Sequence, residues 1–307
     1  MHPVLLTFRL GGAEVVLGAY STLYVLAWVV ALALGTVIAW RRGLPLWRAL
    51  LLYGGALVVG IAGARLLDLA TNWGVYAEDP AQIFSFEFRG FSLYGGLILA
   101  LAAGALLSWA LRLPLWKLAD SAVPAIAAGI VLMRTGCFLK GCCFGTVTSL
   151  PWGVTFPTGS PAWSRQLVSG ESGLLGFTGL VHPVHPTQIY EMIAALVFGG
   201  LAVWLMLRRR AAARGSLAGP SGAEAAAPGV SRVAAGVPFL VFALGFTLFR
   251  VAEYYLRPRS LTATEPGWFY PVLYAVIIAA VAALLILRTM RSGVDQADLQ
   301  DRARSVE

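Results

Sequence analysis

The sequence predicts an all-α polytopic membrane protein with seven transmembrane helices, its N-terminus outside and its C-terminus cytoplasmic. Three observations carry this. Apolar residues make up 58% of the 307-residue chain and charged residues 12%, and mean hydropathy is +0.75, a balance that leaves too little polar surface for a water-soluble fold. Several apolar runs approach or exceed the roughly 20 residues a helix needs to cross a ~30 Å hydrocarbon layer, whereas a β-barrel would alternate in ~10-residue segments. The basic residues also divide unevenly between alternate connections: 14 lie on one side and 6 on the other, which places the C-terminus in the cytoplasm.

In chain order, residues 1–16 lack a basic segment followed by a cleavable apolar core, so they predict an exposed or interfacial lead-in rather than a signal peptide. Apolar runs between helix breakers predict spans over 17–40, 49–70, 92–111, 117–139, 186–207, 236–256 and 268–287. The first opens at Tyr20, and the third at Tyr94-Gly95-Gly96 after an outer loop over 71–91. Gly136, Gly141 and Gly145 punctuate the end of the fourth, where missing side chains admit a ligand or a second backbone. The outer loop over 140–185, with Trp152, Trp163 and His182, suits ordered structure near lipid headgroups. The fifth span begins at His185-Pro186-Thr187-Gln188-Ile189-Tyr190-Glu191. Pro186 fits a first helical turn, and Thr187, Gln188 and Glu191 fit its unpaired backbone donors. For this segment a cap with an aromatic anchor competes with a catalytic role. An Ala/Gly/Ser/Pro stretch over 211–231 predicts a flexible cytoplasmic linker, and 291–307 a cytoplasmic polar tail, leaving 1–290 as a single transmembrane domain.

Composition also narrows the function. The three cysteines and three histidines match no zinc or haem spacing, so neither a metal nor another cofactor is expected. The +8 net charge sits in short loops between apolar runs, which suits anionic bilayer lipid and topology and gives no reason to expect nucleic acid. The lysines are Lys117 and Lys140, so the last span has none for a retinal Schiff base.

Arg65, Arg134 and Arg250 fall inside spans. Each would oppose insertion by about 2.5–3.5 kcal/mol at mid-membrane unless a partner or wet cavity receives it. At ~1.5 Å rise per residue, all three lie about 8–10 Å inside the outer end of their helices. Snorkelling or pairing with carboxylates explains any one of them. Three at one depth point instead to a shared pocket for an anionic phospholipid headgroup, because a guanidinium fork matches phosphate oxygens. Arg250, Glu253 and Arg257 share one helical face, so Glu253 is placed to hold either arginine.

The run from Arg134 to Gly145, RTGCFLKGCCFG, resembles a variant of the prolipoprotein diacylglyceryl transferase signature, R-x-G-N-F-x-N-G-E-x-x-G. Further likenesses occur in order along nearly the whole chain. They are Tyr20-Ser21-Thr22-Leu23-Tyr24, Gly63-Ala64-Arg65, Tyr94-Gly95-Gly96, Asp120 with Pro124, the His185–Glu191 run, and Phe249-Arg250 with Glu253, Arg257 and Pro258. The resemblance implies a multi-pass enzyme of the bacterial inner (cytoplasmic) membrane. It would transfer a diacylglyceryl group from phosphatidylglycerol to the lipobox cysteine thiol of a prolipoprotein signal peptide, forming a thioether and releasing glycerol 1-phosphate. Catalytic roles then fall to Arg134, Arg250, Tyr94 and Tyr20. Substrate contacts fall to Arg65, Gly95, Gly96, Cys137, Gly145, Glu253, Arg257, His185, Gln188 and Tyr190.

The chain departs from the family pattern at four places. Tyr94 stands where the family has the histidine of H-G-G, its usual general-base candidate. Cys137, Lys140 and Cys142 replace the signature's two asparagines and its glutamate. An unperturbed tyrosine, with a pKa near 10, is a poor base at neutral pH, so another group manages the incoming thiol or the chemistry differs. For Cys137, Cys142 and Cys143 three readings stay open: buried small hydrophobes, a disulfide from Cys137 to one of the pair, or a thiolate activated by Arg134 or Lys140. Two alternative functions follow: a divergent paralogue that passes lipid to another acceptor, and a catalytically silent lipid-binding membrane protein.

Overall fold

A computed structural model describes residues 4–10, 13–84, 93–169, 181–215, 233–258 and 266–304. An antiparallel hairpin of β1 (Val4–Leu10) and β2 (Ala13–Gly18) leads directly into helix α1 (Ala19–Arg41). The expected lead-in is thus a paired hairpin. Its two strands, VLLTFRL and AEVVLG, are short and mix apolar with polar residues.

The rest of the described chain is helical apart from loops and isolated β-bridges. After α1 come α2 (Leu46–Thr71), the short α3 (Trp73–Glu78), a 3-10 turn (Pro80–Phe84) and α4 (Leu93–Ala110). These are followed by α5 (Leu115–Lys140), α6 (Pro161–Ser169), α7 (Thr187–Gly215), α8 (Val237–Leu256) and α9 (Phe269–Arg304). Among the described residues six helices, α1, α2, α5, α7, α8 and α9, are long and apolar enough to cross a membrane, and Gly95–Ala110 of α4 is a shorter apolar helix. The protein is a helical, multi-pass membrane protein. Helix α7 continues through Gly215, into the stretch expected as a linker; 216–232 and the end of the tail lie outside the described residues.

Helix packing runs α1 on α5, α5 on α7, and α7 on α8, with α2 paired to α4. Small residues allow the close approaches. A Cβ on Gly63 would lie 2.5 Å from the Gly95 carbonyl oxygen, and one on Gly96 would lie 3.1 Å from that of Gly60, so the α2–α4 seam is a small-residue contact of the kind that draws membrane helices together. Gly136 likewise faces Tyr20 and Leu23 of α1.

One end of the bundle is tied by polar groups. Asp120, buried in α5, accepts hydrogen bonds from Gly236 N (3.0 Å) and Phe239 N (3.2 Å). A remote carboxylate thereby satisfies free donors at the start of α8, where an anion is also favoured by the helix dipole. Arg209 of α7 lies 3.7 Å from the same carboxylate, and Arg42 donates to Ser121 Oγ at 2.9 Å. At the opposite end, Arg134 of α5, Glu191 of α7 and Arg250 and Glu253 of α8 meet.

Candidate functional site

Helix α5 stops at Gly141, which takes the left-handed conformation (φ 72°) that closes helices without a Cβ penalty. The chain then turns into 142–147, and α7 locks this turn in place. Thr187 Oγ1 donates to Cys143 O and Gln188 Nε2 to Cys142 O, both at 2.6 Å. Gly145 N donates to His185 O (2.8 Å), His185 N to Thr146 O (3.0 Å), and Thr146 N to Leu256 O (2.7 Å). Thr187 and Gln188 therefore do not cap their own helix, as the sequence suggested; they hold the neighbouring loop. Gly145 is required by close approach, since a Cβ there would lie 2.6 Å from His185 Cβ and 2.9 Å from Leu256 O.

Against this loop lies a group of charges. Arg134 Nε donates to Glu191 Oε2 at 2.7 Å, and Arg250 Nη1 to Glu191 Oε1 at 2.8 Å and to Glu253 Oε2 at 2.6 Å. Arg257 bridges the same two acids: Nη2 pairs with Glu191, and Nε donates to Glu253 Oε1 at 2.9 Å. Glu253 holds Arg250 of its own helix and Arg257 just past its end. The central member is Glu191, 2% exposed, which gathers guanidiniums from three positions on two other elements. Its place in the first turns of α7 carries no sign that other elements bring arginines to it. Three guanidiniums against two carboxylates leave an excess of one positive charge.

The cluster has capacity for an anion. A guanidinium carries five N–H donors, and among the described residues Arg134 Nη2 and Arg257 Nη1 donate to no protein acceptor. Gln188, fully buried, keeps its Oε1 without a hydrogen-bond partner among the described residues. The site can thus accept phosphate oxygens at the arginines and an O–H or N–H donor at Gln188.

Other expected site residues fall at varied positions. Tyr20, at the start of α1, lies under Lys140, whose ammonium is 4.4 Å from the ring centroid. His185 Nδ1 is 3.3 Å from the Tyr190 hydroxyl, which also accepts from Trp152 Nε1 at 2.8 Å. Arg65 donates to Tyr76 Oη (3.3 Å) on α3 and to Ile83 O (3.2 Å) in the 3-10 turn. Tyr76 in turn donates to Asp68 Oδ2 at 2.5 Å, and burial together with that carboxylate raises its pKa. The backbone of Gly95 and Gly96 faces α2, and Tyr94 lies in the first turn of α4.

The cysteines also converge. Cys137 is buried, Cys142 partly so and Cys143 exposed, yet their three sulfurs all lie within 4.8 Å of one another. Arg134 Nη1 is 3.8 Å from Cys137 Sγ. Cys143 adopts a left-handed backbone (φ 60°), unusual for a residue with a Cβ. The two neighbouring thiols, helped by Arg134 and Arg257, hold the Cys143 thiol well below the ordinary range, whereas the same sulfurs and burial push Cys142 up, its S–H donating to Cys137 O at 3.7 Å.

The family model described as prolipoprotein diacylglyceryl transferase matches residues 6–288. A Geobacter sulfurreducens protein named phosphatidylglycerol–prolipoprotein diacylglyceryl transferase is 29% identical over 266 residues, 85% of each chain. One of the same name from Synechococcus elongatus is 30% identical over 209 residues, covering 67% of this chain and 61% of that protein. A Clostridium perfringens protein, the same name followed by "2", is 32% identical over 147 residues, 48% of this chain and 51% of its own. The matched stretch therefore spans less than two thirds of the Synechococcus and Clostridium proteins. The chain belongs to the prolipoprotein diacylglyceryl transferase family.

Proposed function

We propose that this protein transfers the sn-1,2-diacylglyceryl group of phosphatidylglycerol to the thiol of a lipobox cysteine in a prolipoprotein signal peptide, forming a thioether and releasing glycerol 1-phosphate. The observation that carries the reading is the convergence of Arg134, Arg250 and Arg257 on Glu191 and Glu253, with charge and N–H donors to spare beside the cysteine loop. In the reaction a sulfur–carbon bond forms and a carbon–oxygen bond breaks, so negative charge collects on the departing phosphate. Guanidiniums held in advance by carboxylates stabilise that charge without reorganising as it develops. Arg134 and Arg257 grip the phosphate, Arg250 completes the positive wall, and Glu191 and Glu253 set the three forks. Gln188 Oε1 accepts from a glycerol hydroxyl or a peptide N–H. Tyr20, under Lys140, borders the headgroup.

The enzyme works in the bacterial inner (cytoplasmic) membrane. The apolar helix α4 is its seventh crossing, its N-terminus lies outside, and the charged site lies near the outer face, an orientation supported by the uneven loop charges. Both substrates have membrane-embedded tails and approach through the bilayer. The test is direct: full-length protein in lipid nanodiscs, phosphatidylglycerol and a lipobox peptide, with the peptide examined by mass spectrometry. A peptide heavier by one diacylglyceryl group is expected. Unmodified peptide alongside retained phosphatidylglycerol binding would leave only a lipid-binding role.

A further inference from the structure

The charged cluster explains the leaving phosphate but not how the attacking thiol loses its proton. A thiol with a pKa near 8.5 is mostly protonated at neutral pH and attacks only as thiolate. At the position where the family's histidine stands, this chain has Tyr94. The three cysteines lie on the same loop that the site is built around, and the fold has gathered sulfurs that the spacing C-x4-C-C did not mark as a ligand set.

We propose that Cys137, Cys142 and Cys143 bind one thiophilic cation of the zinc class, leaving a fourth position that takes the acceptor thiol as thiolate. This inference rests on the transferase reading. Three observations support it. The first is distance: sulfurs at ~2.3 Å from a tetrahedral zinc stand roughly 3.8 Å apart, and these three are already within 4.8 Å of one another. Closing the set needs a change of about an ångström or less. The second is preorganisation, because the loop is fixed by Thr187 and Gln188 through the carbonyls of Cys143 and Cys142, and the left-handed turn at Cys143 is part of that path. The third is charge: one dication and three thiolates form a monoanion, and Arg134 lies 3.8 Å from Cys137 Sγ with its guanidinium already in the positive cluster. The burial gradient, from buried Cys137 to exposed Cys143, gives the open position a route to an incoming peptide.

The chemistry balances. Binding the cation to the three thiols releases three protons. Coordination of the acceptor thiol releases a fourth to solvent, since a coordinating thiol is deprotonated outright. The acceptor sulfur then forms its bond to the glyceryl carbon that carries the phosphate. The carbon–oxygen bond breaks, and its electron pair leaves with the phosphate oxygen onto the arginines. Three protein ligands with an open fourth position are the pattern of catalytic zinc.

Cobalt(II) is the probe. Full-length protein, purified in nanodiscs under reductant and stripped with a chelator, is titrated with Co²⁺. One equivalent bound with a sulfur-to-cobalt charge-transfer band is expected, and the tetrahedral d–d bands should shift on addition of a lipobox peptide but not of its Cys→Ser counterpart. Cys143→Ser, at an exposed position, and Cys142→Ser should each lose the one-to-one stoichiometry. Absent stoichiometric binding, a spectrum indifferent to the peptide thiol, or a disulfide through Cys137 in protein isolated without reductant overturns the proposal. Stripped protein that modifies the peptide as fast as zinc-loaded protein removes the cation's role and leaves the transferase standing. Zinc-loaded protein that binds the peptide thiol yet forms no diacylglyceryl peptide removes the transferase reading instead.

Discussion

Arg134 Nε on α5 donates to Glu191 Oε2 on α7 at 2.7 Å, and the other oxygen of that carboxylate accepts from Arg250 on α8. One buried acid therefore sets the position of two guanidiniums contributed by separate helices. Buried ion pairs of this kind add little net stability by themselves, but removing one member leaves uncompensated charge.

Glu191→Gln is expected to destabilise the protein by about 3 kcal/mol, because three guanidiniums would face a single carboxylate in a poorly solvated place. Its melting temperature in nanodiscs should fall, and turnover should fall with it. A variant that melts with the wild type would show that the arginines are held by something else.

Arg134→Ala should abolish turnover while leaving the fold intact, since Arg250 and Arg257 still neutralise Glu191. Arg134→Lys keeps the charge but loses the fork, and kcat should drop about 10²–10³-fold, in the range set by losing one transition-state donor. Circular dichroism and size-exclusion profiles check the fold; wild-type turnover in either variant removes the phosphate-gripping role.

Tyr94→His restores the residue type of the family pattern at the start of α4. Activity is expected to be preserved or to rise, measured as diacylglyceryl peptide formed per minute. Complete loss would mean that the surrounding site has been rebuilt around the tyrosine.

Gly145→Ala should cost about 1–3 kcal/mol, the usual range for forcing an extra methyl into a packed position, because its Cβ would lie 2.6 Å from His185 Cβ. The loop carrying the cysteines should loosen first. Hydrogen exchange at Thr146 and His185, whose amides donate to Leu256 O and Thr146 O, reads this directly.

Cys143 should be the cysteine that alkylates fastest in metal-free protein, and its labelling should persist well below the pH at which ordinary thiols become protonated. The sign follows from its lowered pKa: the thiolate is present above that value and is lost only as pH falls through it. Cys142, pushed the other way, should stay unreactive over the same range. Peptide mapping after iodoacetamide treatment at stepped pH checks both, and equal labelling of the two would contradict the assignment.

Much of this was legible in the residues. Six of the expected runs coincide, to within a few residues apart from the extensions of α7 and α9, with the helices long and apolar enough to cross a membrane, and the run over 92–111 coincides with the shorter α4. A helix in lipid must close its own backbone hydrogen bonds and so announces itself by length and composition. The outlying arginines were legible for the same reason: a charge is conspicuous where almost everything else is apolar. Arg134 and Arg250 share the carboxylate of Glu191, while Arg65 donates to Tyr76 and to the Ile83 carbonyl. The first-turn position of Glu191 carries no sign of its three arginine partners, and the backbone of Gly95 and Gly96 lies against α2. The hairpin at Val4–Gly18 is too short and too mixed in composition for periodicity to reveal.

The sequence by itself determined which segments leave water, which residues are chemically out of place in them, and which family their order matches. Tertiary structure alone decided which of those residues share a site. Helix rotation and loop closure are set by side-chain packing between elements distant in sequence: Gly136 against Tyr20, Gly145 against His185, and the amide of Gln188 on the carbonyl of Cys142. Those contacts turned three dispersed arginines and two acids into one charged cluster, and brought three cysteines of unremarkable spacing within reach of a single ion.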